Sequence, residues 1–126
     1  DDRRDDPENV SRLIFCTGKV YYELDDYRTK NEINNVAIIR IEQIYPFWGS
    51  HIQVVASRYE SATKWVWCQE EPLNMGAWTF VGPRLEKMTE HSVRYAGRDT
   101  AASPATGSKT IHKMEQERLI KEAFNK

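Results

Sequence analysis

The stretch Leu13-Ile14-Phe15-Cys16-Thr17-Gly18 sets the fold class of this chain. Four apolar residues in succession, stopped by Thr and Gly, are typical of a short strand that is buried on both faces of a parallel sheet. The segment after it places three apolar residues at spacings of four and three, on one face of a helix: Val20, Leu24 and Tyr27. The sequence therefore predicts a strand that leads directly into a helix.

The same unit recurs along the chain. Apolar runs at 36–39 and 65–68 predict a second and a third strand, and the alternation over 93–96 predicts a fourth, more exposed one. Apolar residues at helical spacing predict helices over 52–59, 78–85 and 110–124. Residues 97–107 are predicted to form a loop. Strands that alternate with helices predict a three-layer α/β/α fold, with helices on both faces of a mainly parallel, mixed sheet.

The length of 126 residues is that of one domain. Residues 1–11 are polar and lack an apolar period, so they are predicted to be a linker arm in front of a single domain over 12–126. Such an arm leads us to expect further polypeptide before it.

The charge balance argues against some classes of partner. Eighteen Lys and Arg face 19 Asp and Glu, for a net charge of -1, so we expect no binding to nucleic acid, and the short apolar runs predict no membrane association. Cys16 and Cys68 each lie within an apolar run, which predicts buried thiols in a reducing compartment. We expect that compartment to be the cytoplasm of a bacterium or the mitochondrial matrix.

Polar side chains follow the predicted strands at Lys19, Glu42, Glu70 and Arg98. Ligands of doubly wound sheets bind outside the carboxyl ends of the strands, so these four are the candidate site residues that position alone suggests. The string Cys16-Thr17-Gly18-Lys19 lacks the first glycine of a phosphate-binding loop and the hydroxyl residue that should follow its lysine. A plain strand-to-helix turn is the favoured interpretation.

Catalytic and metal chemistry find little support in the sequence. Glu42, Glu70 and Glu71 could form an acid and base pair, but strand-end glutamates more often accept from backbone N–H groups or pair with arginine. The three histidines have no metal-ligand spacing. Trp65 and Trp67 are expected in a core or an interface rather than stacked on a ligand. We therefore predict no catalytic, cofactor-binding or metal residue in this chain.

Four strings resemble the C-terminal domain of the 2-oxoglutarate dehydrogenase E1 component, over about residues 8 to 124. They are Phe15-Cys16-Thr17-Gly18-Lys19-Val20-Tyr21-Tyr22, Arg40-Ile41-Glu42-Gln43-Ile44-Tyr45-Pro46-Phe47, residues 67–78 from Trp67-Cys68-Gln69-Glu70-Glu71-Pro72 to Trp78, and Arg94-Tyr95-Ala96-Gly97-Arg98 with Ala102-Ser103-Pro104-Ala105-Thr106-Gly107. The resemblance implies a domain like the C-terminal domains of the transketolase superfamily.

The resemblance also implies what the larger enzyme does. It would decarboxylate 2-oxoglutarate with thiamine diphosphate and Mg²⁺ and pass the succinyl group to the lipoyl arm of the E2 succinyltransferase, in the citric acid cycle. The family's Gly-Asp-Gly cofactor motif is absent from this sequence, so the chain alone is expected to be inactive. Implied partners are the preceding catalytic domains of the same chain, a second E1 subunit in a homodimer, and the E2 complex.

An effector pocket is a further implication of the resemblance. Relatives bind an adenine nucleotide or acyl-CoA between this domain and the preceding one, and Gln43 matches a position of that pocket. Ser50 and His51 stand where relatives can carry basic residues, and a neutral Ser cannot replace a guanidinium at a phosphate. The candidate effector residues are therefore Gln43, Ser50 and His51.

Two alternatives stay open at the level of sequence. One is the C-terminal domain of the related 2-oxoadipate dehydrogenase E1. The other is an independent α/β module that binds an adenine nucleotide or acyl-CoA through strand-end residues such as Gln43, Lys19 and Arg98.

Overall fold

The structure is a computed structural model that describes residues 6–42, 49–99 and 109–126. A short 3-10 helix, Pro7–Asn9, is followed by β1 (Arg12–Cys16), α1 (Val20–Lys30), β2 (Val36–Arg40), α2 (Gly49–Arg58), β3 (Lys64–Pro72), α3 (Trp78–Thr89), β4 (Val93–Arg98) and α4 (Lys109–Asn125). The alternation of strands and helices is the one that the apolar runs predict.

The four strands form one sheet in the order β2-β1-β3-β4. Every pairing among these described strands is parallel, with Phe15 in register with Ile39 of β2 and with Trp67 of β3. Because β2 and β3 lie on opposite sides of β1, the sheet grows in both directions from its first strand. The predicted three-layer α/β/α architecture is confirmed.

Alternate residues of each strand pack on opposite faces of the sheet, because successive side chains of a strand point to opposite sides. On one face, Phe15, Ile39 and Trp67 pack with residues of α2 and α3, and on the other, Ile14, Ile38 and Val66 pack with residues of α1 and α4. Trp65 and Trp67 are buried in the first of these cores, as expected from their place on a strand. Both faces of the sheet are therefore covered.

Two strands extend further than the sequence indicates. β3 continues to Pro72, which pairs with Arg98 at the end of β4. The predicted loop over 97–107 is therefore wrong at its start, since Gly97 and Arg98 belong to β4 and are buried. Within β4, Arg94 is exposed and Tyr95 partly buried, as expected of a more exposed strand, while residues of α4 pack over Ala96. The rest of that loop, with Ser103, falls on residues 100–108, outside the described ranges.

The described part of the predicted linker arm lies against the domain. Residues 7–9 form the short 3-10 helix, and Val10 is fully buried in the core beside Leu13. Ser11 N–H donates to the carbonyl of Asn35, the residue before β2. Packing therefore begins before Arg12, the first residue of the predicted domain.

Candidate functional site

Three of the four predicted strand-end side chains meet at the carboxyl edge of the sheet. Lys19 follows β1, Glu70 lies in β3 and Arg98 ends β4. Lys19 Nζ lies 3.8 Å from Glu70 Oε1, with the lysine side chain 84% exposed. The guanidinium of Arg98 is buried and donates to the backbone carbonyl of Glu70. Parallel strands bring these residues together because all their carboxyl ends share one edge.

Helix α4 adds two polar side chains to this edge. Gln116 Oε1 accepts from Arg98 Nη2 at 2.9 Å, and Arg98 Nη2 lies 3.3 Å from His112 Nδ1. Gln116 Nε2 donates to Glu70 Oε1 at 2.9 Å and also to Glu23 of α1. We call Lys19, Glu23, Glu70, Arg98, His112 and Gln116 the carboxyl-edge cluster. Its side chains bond to one another across β3, β4, α1 and α4.

The geometry of the cluster bears on the proposed acid and base pair. The carboxylate of Glu70 accepts from an amide, while Glu71 is exposed and Glu42 lies at the end of β2. Successive residues of a strand point to opposite faces, which separates the side chains of Glu70 and Glu71. Glu70 thus has partners within the domain, but they are the side-chain amide of Gln116 and the amine of Lys19, not the backbone N–H or the arginine that the sequence suggested.

Sequence reasoning missed Glu23, His112 and Gln116. Their spacing from buried apolar residues could have indicated them. Glu23 comes three residues after the buried Val20, and Gln116 comes three residues before the buried Leu119. Residues three or four apart share one face of a helix, so both polar side chains had to lie near the apolar stripe. His112 lies one further turn back on the same face as Gln116.

Gln69 is a buried polar residue in β3, next to Glu70. Its Oε1 accepts from Trp67 Nε1 at 2.9 Å and from the Trp78 N–H at 3.1 Å. Its Nε2 lies within hydrogen-bond distance of three backbone carbonyls, those of Glu71, Pro72 and Met75. The side chain of Gln69 thus forms hydrogen bonds with the backbone of the turn between β3 and α3.

Tyr95 joins that turn to the end of β4. Its hydroxyl donates to the carbonyl of Arg98 at 2.6 Å and lies 3.3 Å from that of Glu71. Burial raises the pKa of Tyr95 to about 12, against an opposing effect of hydrogen bonding to Gln69. The phenol therefore stays protonated at neutral pH and acts as a donor.

The two cysteines are free and buried, as predicted. They follow Phe15 and Trp67, which pair in the sheet, so they lie side by side on neighbouring strands. Burial raises the pKa of the Cys16 thiol to about 12, and burial together with the nearby Cys16 raises the pKa of Cys68 as well. A nucleophile or metal ligand needs the thiolate, which this environment disfavours.

A cavity of about 540 Å³ lies apart from the carboxyl-edge cluster, beside the end of β2. We call it the β2-end cavity. Its walls come from α1, β2, and α2 with the residue that follows it, namely Tyr21, Ile39, Arg40, Glu42, Val54, Val55, Arg58 and Tyr59. Glu42, the fourth predicted strand-end residue, is thus found here. Arg58 also lines a second cavity, of about 740 Å³, and the other charged side chains that line it among the described residues are acidic: Asp6, Glu8 and Glu60.

The candidate effector residues are only partly within the described structure. Gln43 lies outside the described residues, and the side chain of Ser50 does too. His51 is exposed in the first turn of α2, one turn before Val55 of the β2-end cavity. The effector pocket therefore stays a prediction.

Over 6–42, 49–99 and 109–126, no group of three or more His, Cys, Asp or Glu side chains could hold a metal ion. In the same ranges, no helix combines the length and the apolar character that crossing a bilayer requires.

Comparison with known proteins gives matches over nearly the whole chain. A family model described as 2-oxoglutarate dehydrogenase C-terminal matches residues 1–124. The chain is 49% identical over 123 residues to the 2-oxoglutarate dehydrogenase E1 component of Exiguobacterium sp., with 94% of this chain and 13% of that protein covered. It is 44% identical over 122 residues to the E1 component of Haemophilus influenzae, with 95% and 13% covered.

A mitochondrial protein gives a similar match. The chain is 43% identical over 123 residues to the mitochondrial 2-oxoglutarate dehydrogenase of Schizosaccharomyces pombe, with 94% of this chain and 12% of that protein covered. The chain thus spans about an eighth of the length of these relatives, which come from both bacteria and a mitochondrion.

Proposed function

We propose, since this chain belongs to the 2-oxoglutarate dehydrogenase C-terminal family, that it is the structural and assembly domain at the end of an E1 component. The larger protein would decarboxylate 2-oxoglutarate and transfer the succinyl group to the lipoyl arm of E2. The match over residues 1–124, in a chain that covers 13% of a relative's length, is the observation that carries this proposal.

The arrangement of the carboxyl edge supports a structural role for the domain. In doubly wound sheets this edge is the usual place for a ligand. Here Gln116 lies between the carboxylates of Glu23 and Glu70, and Arg98 is bonded to Gln116 and to the backbone of β3. Side chains of the domain itself thus use the hydrogen-bonding groups that a ligand would need.

Thiamine diphosphate and Mg²⁺ are the cofactors implied for the larger protein, where they would supply the carbanion chemistry of decarboxylation. The described residues do not fit this group. Mg²⁺ prefers several oxygen ligands, and the two neighbouring carboxylates of the carboxyl-edge cluster, Glu23 and Glu70, already accept from Gln116. We therefore propose that the cofactor site of the larger protein lies in the preceding domains.

The proposed partners follow from the same family membership. They are the preceding catalytic domains of the same polypeptide, a second E1 subunit, and the E2 succinyltransferase complex. The cytoplasm of a bacterium or the mitochondrial matrix is the proposed compartment, since the relatives include bacterial and mitochondrial proteins.

The test compares the full-length natural protein with the 126-residue chain. Each is supplied with thiamine diphosphate and Mg²⁺, and release of CO₂ from 2-oxoglutarate is measured. We expect release from the full-length protein and none from the chain alone. Decarboxylation by the isolated chain would refute the assembly role, and a full-length protein that releases CO₂ from 2-oxoadipate alone would favour the related enzyme.

The effector pocket with Gln43, Ser50 and His51 remains a separate proposal, motivated by the position of Gln43 in the family resemblance. Calorimetry of the full-length protein with AMP and with acetyl-CoA tests it. Heat of binding that is lost on Gln43→Ala would support the pocket, and no heat with either ligand would remove it.

A further inference from the structure

Arg12 is a buried cation at the amino end of the sheet. It begins the interior strand β1, and only 7% of its surface is exposed. Its guanidinium forms no hydrogen bond or ion pair with the described residues, and Nη1 is enclosed there without an acceptor. Burial lowers the pKa of Arg12. A buried charge without a partner is costly, and an acceptor from outside the domain would offset that cost.

Two exposed cations lie on the same face and at the same end of the sheet. Lys64 of β3 is the register partner of Arg12, and Arg94 of β4 is the register partner of Val66, which pairs with Ile14. Residues in register on parallel strands point to the same face, so all three cations lie on the face that α1 and α4 cover. Lys64 and Arg94 also form no ion pair within the described part of the chain.

The last turns of α1 and α4 cover this end of the face. Arg28 Nη1 donates to the carbonyl of Val36, which is the register partner of Arg12 on β2. The ring centres of Tyr27 and Phe124 lie 4.9 Å apart, so the two helices meet here. The carboxyl ends of helices carry partial negative charge, yet over the described ranges they supply no hydrogen bond to the guanidinium of Arg12.

The carboxylates of the two helices pair with cations of their own. The ion pairs are Asp25–Arg28, Asp26–Lys30, Arg118–Glu122 and Glu122–Lys126. Glu32, which follows α1, is exposed. The three carboxylates of the 740 Å³ cavity adjoin the end of α2, which packs on the opposite face of the sheet. The three strand cations therefore leave this end of the face with a net positive charge.

We propose that Arg12, Lys64 and Arg94 form a binding site for a small oxyanion of the phosphate type, which we name the amino-edge site. A guanidinium can donate to two oxygens of such an anion at once, and hydrogen bonds between charged groups are the stronger ones. Arg12 is the buried donor, and the two exposed cations form the rim. The site lies at the edge of the sheet opposite to the carboxyl-edge cluster, and it does not depend on the proposed function.

Calorimetric titration of the full-length, cofactor-loaded protein with inorganic phosphate tests the site, with sodium chloride keeping the ionic strength constant. Arg12→Met removes the charge but keeps a long, unbranched side chain. Lys113→Met, which removes an exposed cation from the first half of α4, is the matched control. Thermal unfolding of the same proteins in chloride without phosphate provides a second measurement.

We expect Arg12→Met to weaken phosphate binding at least about tenfold, because a charge-assisted hydrogen bond is lost, and Lys113→Met to leave it unchanged. Arg12→Lys, which keeps the charge but not the fork of donors, should fall between the two. In chloride alone, Arg12→Met should unfold at the same temperature as the parent or higher, because it removes a buried charge that has no partner.

Three outcomes would overturn the proposal. One is the absence of phosphate binding by the parent protein, and another is equal affinity in the parent and in Arg12→Met, which would place the phosphate elsewhere. The third is a clearly lower unfolding temperature of Arg12→Met in chloride, which would show that the protein itself already satisfies this guanidinium. If Arg12→Met does not fold, Lys64→Met/Arg94→Met replaces it, and unchanged phosphate affinity in that variant would equally remove the site.

Discussion

Gln69 shows how one residue can define the end of a strand. Its amide is 2% exposed, yet its oxygen accepts from Trp67 and Trp78 and its nitrogen lies near three backbone carbonyls. A buried polar group is tolerated only when its hydrogen bonds are made, and here the bonds also shape the turn that leads to α3. Gly76 approaches this amide so closely that a Cβ there would lie 3.1 Å from Gln69 Oε1.

Replacing Gln69 by Leu keeps the size of the side chain but removes every one of these bonds. We expect the free energy of unfolding to fall by about 3 kcal/mol, because an indole N–H, a backbone N–H and several carbonyls lose their partner. Urea unfolding of the 126-residue chain measures the loss. Gln53→Leu, on the exposed face of α2, is the control and should change stability little. Equal losses in the two variants would contradict the role assigned to Gln69.

The buried thiols predict how stability depends on pH. The pKa of Cys16 is raised from 9.0 to about 12, so the folded chain holds this proton more tightly than the unfolded chain does. The resulting stability is fully present below about pH 9 and is lost as the pH rises towards 12. Cys68 is shifted in the same direction, as is Tyr95, whose pKa rises from 10.0 to about 12.

We therefore expect the free energy of unfolding to decrease steadily from about pH 9 upwards. Urea unfolding at a series of alkaline pH values measures the slope. A Cys16→Ala/Cys68→Ala variant should be less stable at neutral pH but show a shallower alkaline decrease, since Tyr95 is the group with a raised pKa that remains among the described residues. A slope that is the same with and without the thiols would show that they do not contribute.

At the scale of the elements, the turn between β1 and α1 is set by a backbone conformation. Gly18 has φ of +73°, in the left-handed region, and it turns the chain so that α1 begins two residues later, at Val20. A Cβ built on Gly18 meets nothing within 4 Å, so only the backbone conformation disfavours a side chain there. Lys19 and Glu23 owe their place at the carboxyl edge to this turn.

Gly18→Ala should therefore lower the free energy of unfolding by about 1 kcal/mol, the cost of a left-handed conformation for an L-residue. Gly18→Asn should cost less, because Asn adopts this region more readily. Thermal unfolding of the two variants and the parent chain provides the comparison. If Ala and Asn have the same effect, backbone conformation is not the cause.

Helix α4 is held in two different ways along its length. Its second half is buried through Leu119, Ile120, Ala123 and Phe124, while residues 109–114 are all exposed. The first half contacts the domain through polar groups, with Gln116 and His112 near Arg98. Because Arg is always a donor, His112 Nδ1 must act as the acceptor in this contact.

At the scale of the whole molecule, the central strands of the sheet are expected to be the most stable part. β1 and β3 are interior strands, paired on both sides, and their residues Ile14, Val66 and Trp67 have no exposed surface. Regions with few buried contacts open at lower free energy than the core does. Stability should therefore differ between the central strands and the first half of α4.

Hydrogen exchange of the backbone amides tests this distribution. We expect the amides of β1 and β3 to exchange slowest, only on global unfolding, and those of 110–115 to exchange faster than those of 119–124. Mass spectrometry of peptides from the two halves of α4 gives the comparison within one helix. Uniform protection along α4 would mean that its polar contacts hold it as firmly as its apolar ones.

Local sequence determined the elements and their burial. Runs such as Leu13 to Cys16 are apolar on consecutive residues, and only a strand covered on both faces buries all of them, so the α/β alternation and the buried cysteines follow from composition and period alone. The same logic located Lys19, Glu70 and Arg98 at strand ends. It could not extend β3 to Pro72, because that extension depends on pairing with Arg98 of another strand.

Tertiary structure alone decided which of these residues meet. Gln116 is distant in sequence from Glu23 and Glu70, and nothing in the local pattern of α4 states which strands lie beneath it. The strand order β2-β1-β3-β4 separates Glu42 from Glu70 and creates the β2-end cavity with its two arginines. Periodicity reports which face of an element is buried, whereas contacts between faces arise only once the elements pack.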